Sequence, residues 1–383
     1  MPDKGFYDGR EQALVKHTFI ERYLRDQLPK VSRFGTFTFV DLFAGPWKSR
    51  CESYSDTSFG IAMIQMRLAK QRQADLGHSV RMVAHLVEKE NFAELEMAVA
   101  GIEDIEIHLY NGRAEDHAST IHRKIGADGF RFIVIDPKGI PDPTKFSELI
   151  AAPNSEVLIN FMFQFANRFA HTEKMPPLGR WLSLVASNSD WQTDLGELTG
   201  QEREDRITDM AREALAKIGG YDFAPSITVD EADADRTLYK LIYLTRHALG
   251  LKVFRDAQSL ALEVQSSMRS ERKAKKRSQT SGMEDLFASE GVVVTGERSA
   301  KFLERGRRLG KQSALQTIQA AGSKGLTWKK VWTGVLDDWP ITEKELAWEC
   351  SKWKNDGLVQ ISDWGKSRRP NDAQIISMSD LTL

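Results

Sequence analysis

The sequence predicts a doubly wound α/β domain, followed by a smaller helical domain that carries a β-hairpin. Through the first part of the chain, short apolar runs alternate with helical segments, which is typical of a parallel sheet covered by helices on both faces. At Ser270 the composition changes to a polar, basic stretch with few large apolar residues. We therefore expect a first domain over residues 1–270, a basic linker over 271–300 and a second domain over 301–383.

The composition limits the classes of protein that the chain can represent. Its 383 residues suffice for two or three domains, and the net charge of −1 gives no overall attraction to nucleic acid, so such binding would need a local basic patch. Cys51 and Cys350 are the only cysteines, which excludes a disulfide framework and a cysteine-based metal site. The sequence has no run of about 20 apolar residues and no apolar signal-peptide core near its start. We therefore expect a cytoplasmic protein with no membrane association.

The apolar patterns give the order of the elements. Residues 11–28 have apolar side chains at helical spacing, and Pro29 is expected to end that helix. A helical insertion is expected over residues 161–220, followed by two strands at 226–229 and 238–244. As an antiparallel pair at the sheet edge, these two strands would complete a sheet of seven. The five strands before the insertion are expected at residues 37–42, 80–87, 105–110, 130–135 and 156–160.

The segment Thr38–Pro46, with the sequence TFVDLFAGP, is the most informative motif. A buried strand ends in Asp41, and Gly45 in the following turn lets the backbone approach a ligand closely. The segment has neither the lysine of a phosphate loop nor the glycine spacing of a dinucleotide fingerprint. It resembles the first motif of class I S-adenosylmethionine (SAM) methyltransferases, although an ordinary strand and turn would fit the same pattern. The candidate cofactor-binding residues here are Asp41, Phe43, Ala44, Gly45 and Pro46.

Acidic or polar residues also end three later strands. Because the carboxyl ends of parallel strands share one edge of the sheet, we expect these residues to lie beside the first motif. There Asp41 would face the methionine amino group of SAM or orient the glycine turn. Glu88 would accept hydrogen bonds from the ribose hydroxyls, or would only begin the next helix. The later strands end in Asn111, a further cofactor-binding candidate, and in Asp136, which, like Asp41, could instead be a buried structural residue.

Asp136 begins the sequence Asp-Pro-Lys-Gly, where methyltransferases of nucleobase amino groups carry (Asp/Asn)-Pro-Pro-(Tyr/Phe). Asp136 is therefore the candidate for positioning the acceptor. The second proline and the aromatic residue are missing, and Lys138, the second candidate catalytic residue after Asp136, offers a phosphate contact in place of stacking. No cysteine lies between Cys51 and Cys350, so methylation of cytosine at carbon 5, which needs a cysteine nucleophile, is nearly excluded.

Three predicted helices and two short strands indicate a winged helix-turn-helix over residues 301–383. Its third helix begins at Thr342, with Glu345 at the spacing of a capping box. The five tryptophans of its helices, which include Trp348, are expected mostly in the core, and Trp364 near the wing is expected to be more exposed. Glutamates on the third helix dilute its positive charge, so a protein-binding role stays open beside nucleic-acid binding. The candidate phosphate contacts are Lys344, Lys352, Lys354, Lys366, Arg368 and Arg369.

Several short segments between residues 10 and 265 form a wider pattern. They are Lys16-His17, Tyr23-Leu24, Val40–Pro46, Val87–Lys89, Ile135–Pro137 with Gly139, Ile159–Phe161 with Arg168, Leu238–Leu241 and Leu249–Lys252. This pattern resembles the three-Cys-motif partner (TcmP) family, and the C-terminal part resembles the GMT-like winged-helix domain often appended to it. The resemblance implies a SAM-methyltransferase-like Rossmann fold in a bacterial or phage setting, and a partner with a three-cysteine motif of radical-SAM-like type. The chain differs from the family at Lys138, where phenylalanine is usual, and at Arg113, where an acid is common near the adenine.

These features predict a SAM-dependent methyltransferase that acts on nucleic acid or a nucleic-acid-associated substrate. SAM is the expected cofactor, and the enzyme would hold the acceptor in line with the methyl sulfonium. The second domain would bind DNA or RNA. The alternative is a non-catalytic DNA-binding accessory subunit with a degenerate methyltransferase fold, which works with a radical-SAM-like partner. A nuclease of a mobile-element or defence system is a weaker hypothesis, since no second carboxylate is spaced for a metal.

Overall fold

In a computed structural model, the protein divides into two compact units, residues 1–250 and 251–383. The predicted boundary at residue 270 instead lies within one long helix, so residues 271–281 of the expected linker are helical. The rest of that linker, up to residue 296, lies outside the described residues. The structure describes residues 3–31, 35–45, 49–126, 128–139, 142–169, 179, 195–281 and 297–379.

The first unit is built on a mixed β-sheet. Its strands are β1 Phe37–Asp41, β2 Met82–Glu88, β3 Glu106–Asn111, β4 Phe130–Ile135, β5 Ser155–Phe161, β6 Ser226–Asp230 and β7 Thr237–Leu244. In the described residues they pair in the order β3-β2-β1-β4-β5-β7-β6, with β1 to β5 parallel and β7 antiparallel to both of its neighbours. Every side chain of β1 and β5 is buried, so both faces of the sheet centre are covered. The predicted doubly wound fold is confirmed, and this strand order is that of a class I SAM-methyltransferase sheet.

One helix precedes these strands and the others lie between them along the chain. They are α1 Glu11–Val31, α2 Ser58–Asp75, α3 Phe92–Val99, α4 Ala114–Ile125, α5 Ser147–Ile150, α6 Phe163–Phe169 and α7 Gly200–Gly219. The prediction that Pro29 ends α1 is wrong, because α1 continues to Val31. Leu28 is fully buried and holds this last turn on the core, which offsets the hydrogen bond that a proline cannot donate. α6 and α7 lie in the predicted helical insertion, of which residues 170–178 and 180–194 are outside the described part.

The second unit combines helices with a small antiparallel sheet. Its elements are most of α8 Ala248–Ser281, α9 Arg298–Ala320, α10 Trp328–Asp338, α11 Glu343–Asn355, β8 Leu326–Thr327, β9 Val359–Ile361 and β10 Ile375–Met378. The strand order is β8-β10-β9, so the predicted two-stranded hairpin gains a third strand that is too short to give a sequence pattern. Thr342 and Glu345 form the predicted capping box of α11. Trp328 and Trp332 are fully buried in this unit.

The helix α8 continues beyond residue 270 because its polar residues have partners at the start of α9. Ser266 Oγ lies 2.7 Å from Ser299 Oγ. The buried Arg269 donates to the carboxylate of Glu297 at 2.8 Å, and Lys273 pairs with the same carboxylate. The predicted basic linker therefore begins as a packed helix. Among the described residues, no helix combines the length and hydrophobicity needed to cross a membrane.

Candidate functional site

The candidate site lies at the edge of the sheet where the parallel strands β1 to β4 end. The strand pairing sets Asp41 level with Leu86 of β2 and Val134 of β4, and it sets Glu88 level with Asn111. The acid that follows β4, Asp136, lies at the same edge. The prediction that the polar strand ends share one edge is thus confirmed by the register.

Asp41 is fully buried, and both of its carboxylate oxygens accept hydrogen bonds from the protein. The backbone N–H of Phe43 donates to Oδ1 at 3.0 Å, and Ser58 Oγ at the start of α2 donates to Oδ2 at 2.5 Å. Burial raises the pKa of Asp41 from its ordinary value of 3.8 to about 6, and the negative charge of Asp136 adds to the increase. Of the two predicted roles, the geometry corresponds to orienting the glycine turn.

The turn after β1 is fixed to both neighbouring strands through its backbone. Leu42 N donates to Val134 O at 3.1 Å, and Ala44 N donates to Val87 O at 2.9 Å. Phe43 is half-buried and packs against the apolar core beneath the sheet edge. The position of the turn is therefore set before any ligand arrives. The remaining predicted residue of this turn, Pro46, lies outside the described residues.

Gly45 and Glu88 are in close contact. A Cβ on Gly45 would lie only 2.5 Å from Glu88 Oε2, so only glycine permits this approach. The other oxygen, Oε1, accepts hydrogen bonds from the backbone N–H groups of Glu90 and Asn91 at 2.6 and 2.8 Å. The described residues provide no hydrogen-bond donor to Oε2. Both predicted roles of Glu88 are thus structurally possible at once, since one oxygen holds the start of α3 and the other faces the glycine turn.

The end of β3 supplies an exposed polar side chain beside this pair. Asn111 is exposed, and its backbone carbonyl lies 3.1 Å from Nε2 of His117. The next residue, Gly112, donates its N–H to Glu88 O at 3.1 Å and has a φ of +143°, which favours glycine. Arg113 lies 3.5 Å from the Glu115 carboxylate. The side chain of Asn111 is therefore placed at the edge with no competing contact in the described residues.

Asp136 has a different environment, because two protein donors bind its carboxylate. Lys16 Nζ of α1 donates to Oδ2, and Asn160 Nδ2 of β5 donates to Oδ1 at 2.6 Å. The exposed fractions of the Lys16 and Asp136 side chains are only 13% and 18%. Tyr239 is buried and donates its hydroxyl to Gln12 O at 2.7 Å, and burial together with the charge of Asp136 raises its pKa well above 10. The sequence placed Asn160 at a strand end but assigned no site role to Asn160 or to Lys16, although both lie in the segments that resemble the TcmP family.

Lys138, the other predicted catalytic residue, does not join this group in the structure. Its side chain is 67% exposed, and its ammonium lies 3.7 Å from the Glu90 carboxylate. Its proposed phosphate contact stays a prediction. No group of histidine, cysteine, aspartate and glutamate side chains in the described part of the chain is arranged to hold a metal ion.

The loop between the glycine turn and α2 is anchored by Asp56. Its carboxylate accepts hydrogen bonds from Arg10, from Ser49 Oγ at 2.5 Å and from Arg50 N at 2.8 Å. Arg10 precedes α1, so this acid joins the N-terminal segment to the loop that follows the predicted cofactor motif. Cys51 in the same loop lies 3.0 Å from the hydroxyl oxygens of two serines, and these bonds lower the pKa of its thiol.

In the second unit, the predicted phosphate contacts lie on α11 and on the loop between β9 and β10. Five of the six are exposed, whereas Lys354 is half-buried with its ammonium 5.3 Å from the ring centre of Trp364. Trp364 is half-buried, and Trp353 is buried as expected. Trp348 is 51% exposed and does not belong to the core. It lies on the helix face opposite to the buried Leu346 and Cys350.

Comparisons with known proteins identify no family for this chain. No protein-family model matches it, and no curated protein gives a significant match. Among solved structures, it is similar to a proposed methyltransferase from Thermobifida fusca YX, at 11% identity over 62% of this chain and 82% of that one, with a TM-score of 0.31. A mycolic acid cyclopropane synthase with SAH and CTAB gives 12% identity over 69% and 78%, with a TM-score of 0.26. Loganic acid methyltransferase with SAH gives 7% identity over 71% and 91%, with a TM-score of 0.30. At these TM-scores the likeness supports no conclusion, and the fold assignment rests on the strand order.

Proposed function

We propose that the first unit binds SAM and that the protein is a SAM-dependent methyltransferase. The observation that carries this proposal is the pairing of Gly45 with Glu88 at the edge of a sheet with methyltransferase strand order. Glu88 Oε2 is a carboxylate oxygen with no donor among the described residues, and a pair of ribose hydroxyls would supply donors to it. Asn111 offers an amide beside it for the adenosine moiety.

SAM supplies the methyl sulfonium, and the protein orients the cofactor and the acceptor relative to each other. The turn through Ala44 is fixed to β2 and β4, which would hold the methionine portion without further ordering. Asp136 follows β4, where the acceptor would bind, and its carboxylate is oriented by Lys16 and Asn160. In-line transfer needs little acid–base chemistry beyond this orientation and the exclusion of water.

For the second unit, we propose a winged helix-turn-helix that brings a nucleic-acid substrate to the first unit. Its three helices, α9 to α11, and its antiparallel sheet support this proposal, in which α11 would be the recognition helix. The resemblance to the TcmP family further suggests a partner protein of radical-SAM-like type with a three-cysteine motif. Both the partner and the nucleic acid are proposals from sequence.

A second candidate function is supported by the surroundings of Asp136. Each of its oxygens already accepts from a protein donor and the side chain is only 18% exposed, so an acceptor amine would have to approach a carboxylate that Lys16 and Asn160 already hold in place. A protein that binds SAM or nucleic acid without transferring a methyl group would have no such conflict. This favours, as an alternative, a non-catalytic accessory subunit that recognises nucleic acid for its partner.

Two measurements separate these functions. Calorimetric titration of the full chain with SAM and with its demethylated product tests cofactor binding, and no heat and no thermal shift at millimolar ligand would refute the proposed enzyme. Incubation with labelled SAM and mixed DNA or RNA then tests transfer. Cofactor binding with no label on any nucleic acid would leave the accessory function as the better proposal.

A further inference from the structure

We propose that the second unit binds unpaired bases of single-stranded nucleic acid by stacking them on Trp348. This inference rests on the proposed nucleic-acid role and names the class of substrate that the unit takes. Trp348 lies in the middle of α11 and is 51% exposed, while Leu346 and Trp353 of the same helix are buried. An indole with half of its surface in water is a flat apolar area that a base can cover.

The charge around Trp348 is more positive than the composition of α11 indicates. Lys344 and Lys352 lie one turn before and one turn after it on the same face, and both are exposed. The glutamates of α11, which were expected to dilute this charge, are each paired with a cation elsewhere in the unit. The pairs are Glu343 with Lys252 at 2.7 Å, Glu345 with Arg307 at 2.6 Å and Glu349 with Lys311 at 2.8 Å. The face around Trp348 therefore attracts a phosphate backbone.

The loop between β9 and β10 adds cations next to the same ring. Arg369 holds its guanidinium 5.8 Å from the ring centre of Trp348. Ser351 Oγ of α11 donates to Arg368 O at 2.9 Å and fixes this loop against the helix. Aromatic rings that alternate with cations along a basic surface are typical of proteins that bind single strands, where bases stack and phosphates meet the charges.

A double helix is a poorer match for this face. In duplex DNA the faces of the bases are stacked on one another, and a helix in the major groove reads base edges with Arg, Asn or Gln side chains. Between Lys344 and Lys352, the exposed side chain of α11 is the indole of Trp348, which offers one N–H donor and no acceptor. A single strand of DNA or RNA presents the base faces that this ring can use.

Fluorescence anisotropy of the full chain with labelled single strands of DNA and RNA, and with the matching duplex, tests the proposal. We expect single strands to bind, and Trp348→Ala to weaken that binding about tenfold, because stacking on one aromatic ring is lost. Trp348→Phe should retain most of the affinity. Phe302→Ala removes another exposed aromatic side chain, from α9, and should leave the affinity unchanged. Lys344→Gln should lower the slope of log affinity against log salt concentration by about one, because one phosphate contact is lost.

Several outcomes would overturn the inference. They are an unchanged affinity in Trp348→Ala, an equal loss for duplex and single strand, and a failure of both single strands to bind at low salt. The DNA strand and the RNA strand are measured separately, so the experiment shows which of the two nucleic acids the unit binds. Calorimetry with SAM on the same preparation separates this inference from the enzyme proposal, because cofactor binding without strand binding refutes only the role of Trp348. Circular dichroism and thermal unfolding establish that each variant is folded.

Discussion

Glu88 and Asp136 end parallel strands at the same edge of one sheet, yet their carboxylates have opposite environments. Glu88 uses one oxygen to hold the start of α3 and keeps Oε2 without a donor among the described residues. Asp136 has protein donors on both oxygens, from Lys16 and Asn160. The side of the edge at β1 and β2 therefore keeps an acceptor oxygen that no described residue uses, while the side at β4 and β5 is held by the protein's own side chains. A position at a strand end predicts where a site lies, and its hydrogen bonds show which residues remain available.

Asp41 lies between these two and gives the largest expected effect. Its pKa is about 6 when folded and near 3.8 when unfolded, so the folded protein holds this proton more tightly. The stability gained in this way is complete below pH 3.8 and is lost as the pH rises through about 6, a total of roughly 3 kcal/mol. Asp41→Asn keeps the acceptor for Phe43 N without the buried charge. Urea unfolding should therefore give nearly equal stabilities at pH 4 and a variant that is relatively more stable at pH 7.

The control for this prediction is the pH series itself. A difference in free energy of unfolding between the variant and the natural protein that stays constant from pH 4 to pH 7 would contradict it. Asp41→Asn should also retain SAM binding, since the structure gives Asp41 a role in the turn and no exposed oxygen. Loss of SAM binding in a folded variant would show that Asp41 contacts the ligand.

Lys16→Met tests whether the occupied side of the edge is structural. The substitution leaves Asp136 with one donor in a site where its side chain is only 18% exposed. We expect the free energy of unfolding to fall by about 2 kcal/mol, which is below the cost of breaking a fully buried pair. Denaturant unfolding measures this loss, and SAM affinity should stay within about twofold. A stable variant with altered SAM binding or methyl transfer would show that Lys16 takes part in the chemistry.

Glu88→Gln tests the open side. Glutamine still accepts the N–H groups of Glu90 and Asn91 but presents a neutral group to the ribose, so SAM should bind about tenfold more weakly with little change in thermal stability. Calorimetry measures the affinity. Glu90→Gln is the matched control, because its side chain is 64% exposed and should not affect SAM affinity. An unchanged SAM affinity in Glu88→Gln would show that the ribose of SAM does not bind at Glu88.

Much of this arrangement was predictable from the sequence because strand ends are local signals. Asp41, Glu88 and Asp136 each follow an apolar run, and parallel strands bring such residues to one edge. The pairing of Lys16 with Asp136 was not predictable, since the two residues lie 120 positions apart and no periodicity links them. The exposure of Trp348 was within reach, because it shares a helix face with lysines at i−4 and i+4. The pairing of the α11 glutamates needed three-dimensional structure, as their partners lie on other helices.

Gly45→Ala gives the smallest expected effect and tests the contact on which the open side depends. The added Cβ would lie 2.5 Å from Glu88 Oε2, and the obstacle is the far end of a flexible side chain rather than backbone. The carboxylate can therefore turn aside at a cost of less than about 1 kcal/mol in stability, but it would no longer face the ribose. We expect SAM affinity to fall about fivefold by calorimetry, and the loss should vanish when Glu88 is already glutamine or alanine. Gly101→Ala is the matched control, because nothing lies within 4 Å of its added Cβ. Additive losses in the double variants would mean that Gly45 serves the ligand directly and not through Glu88.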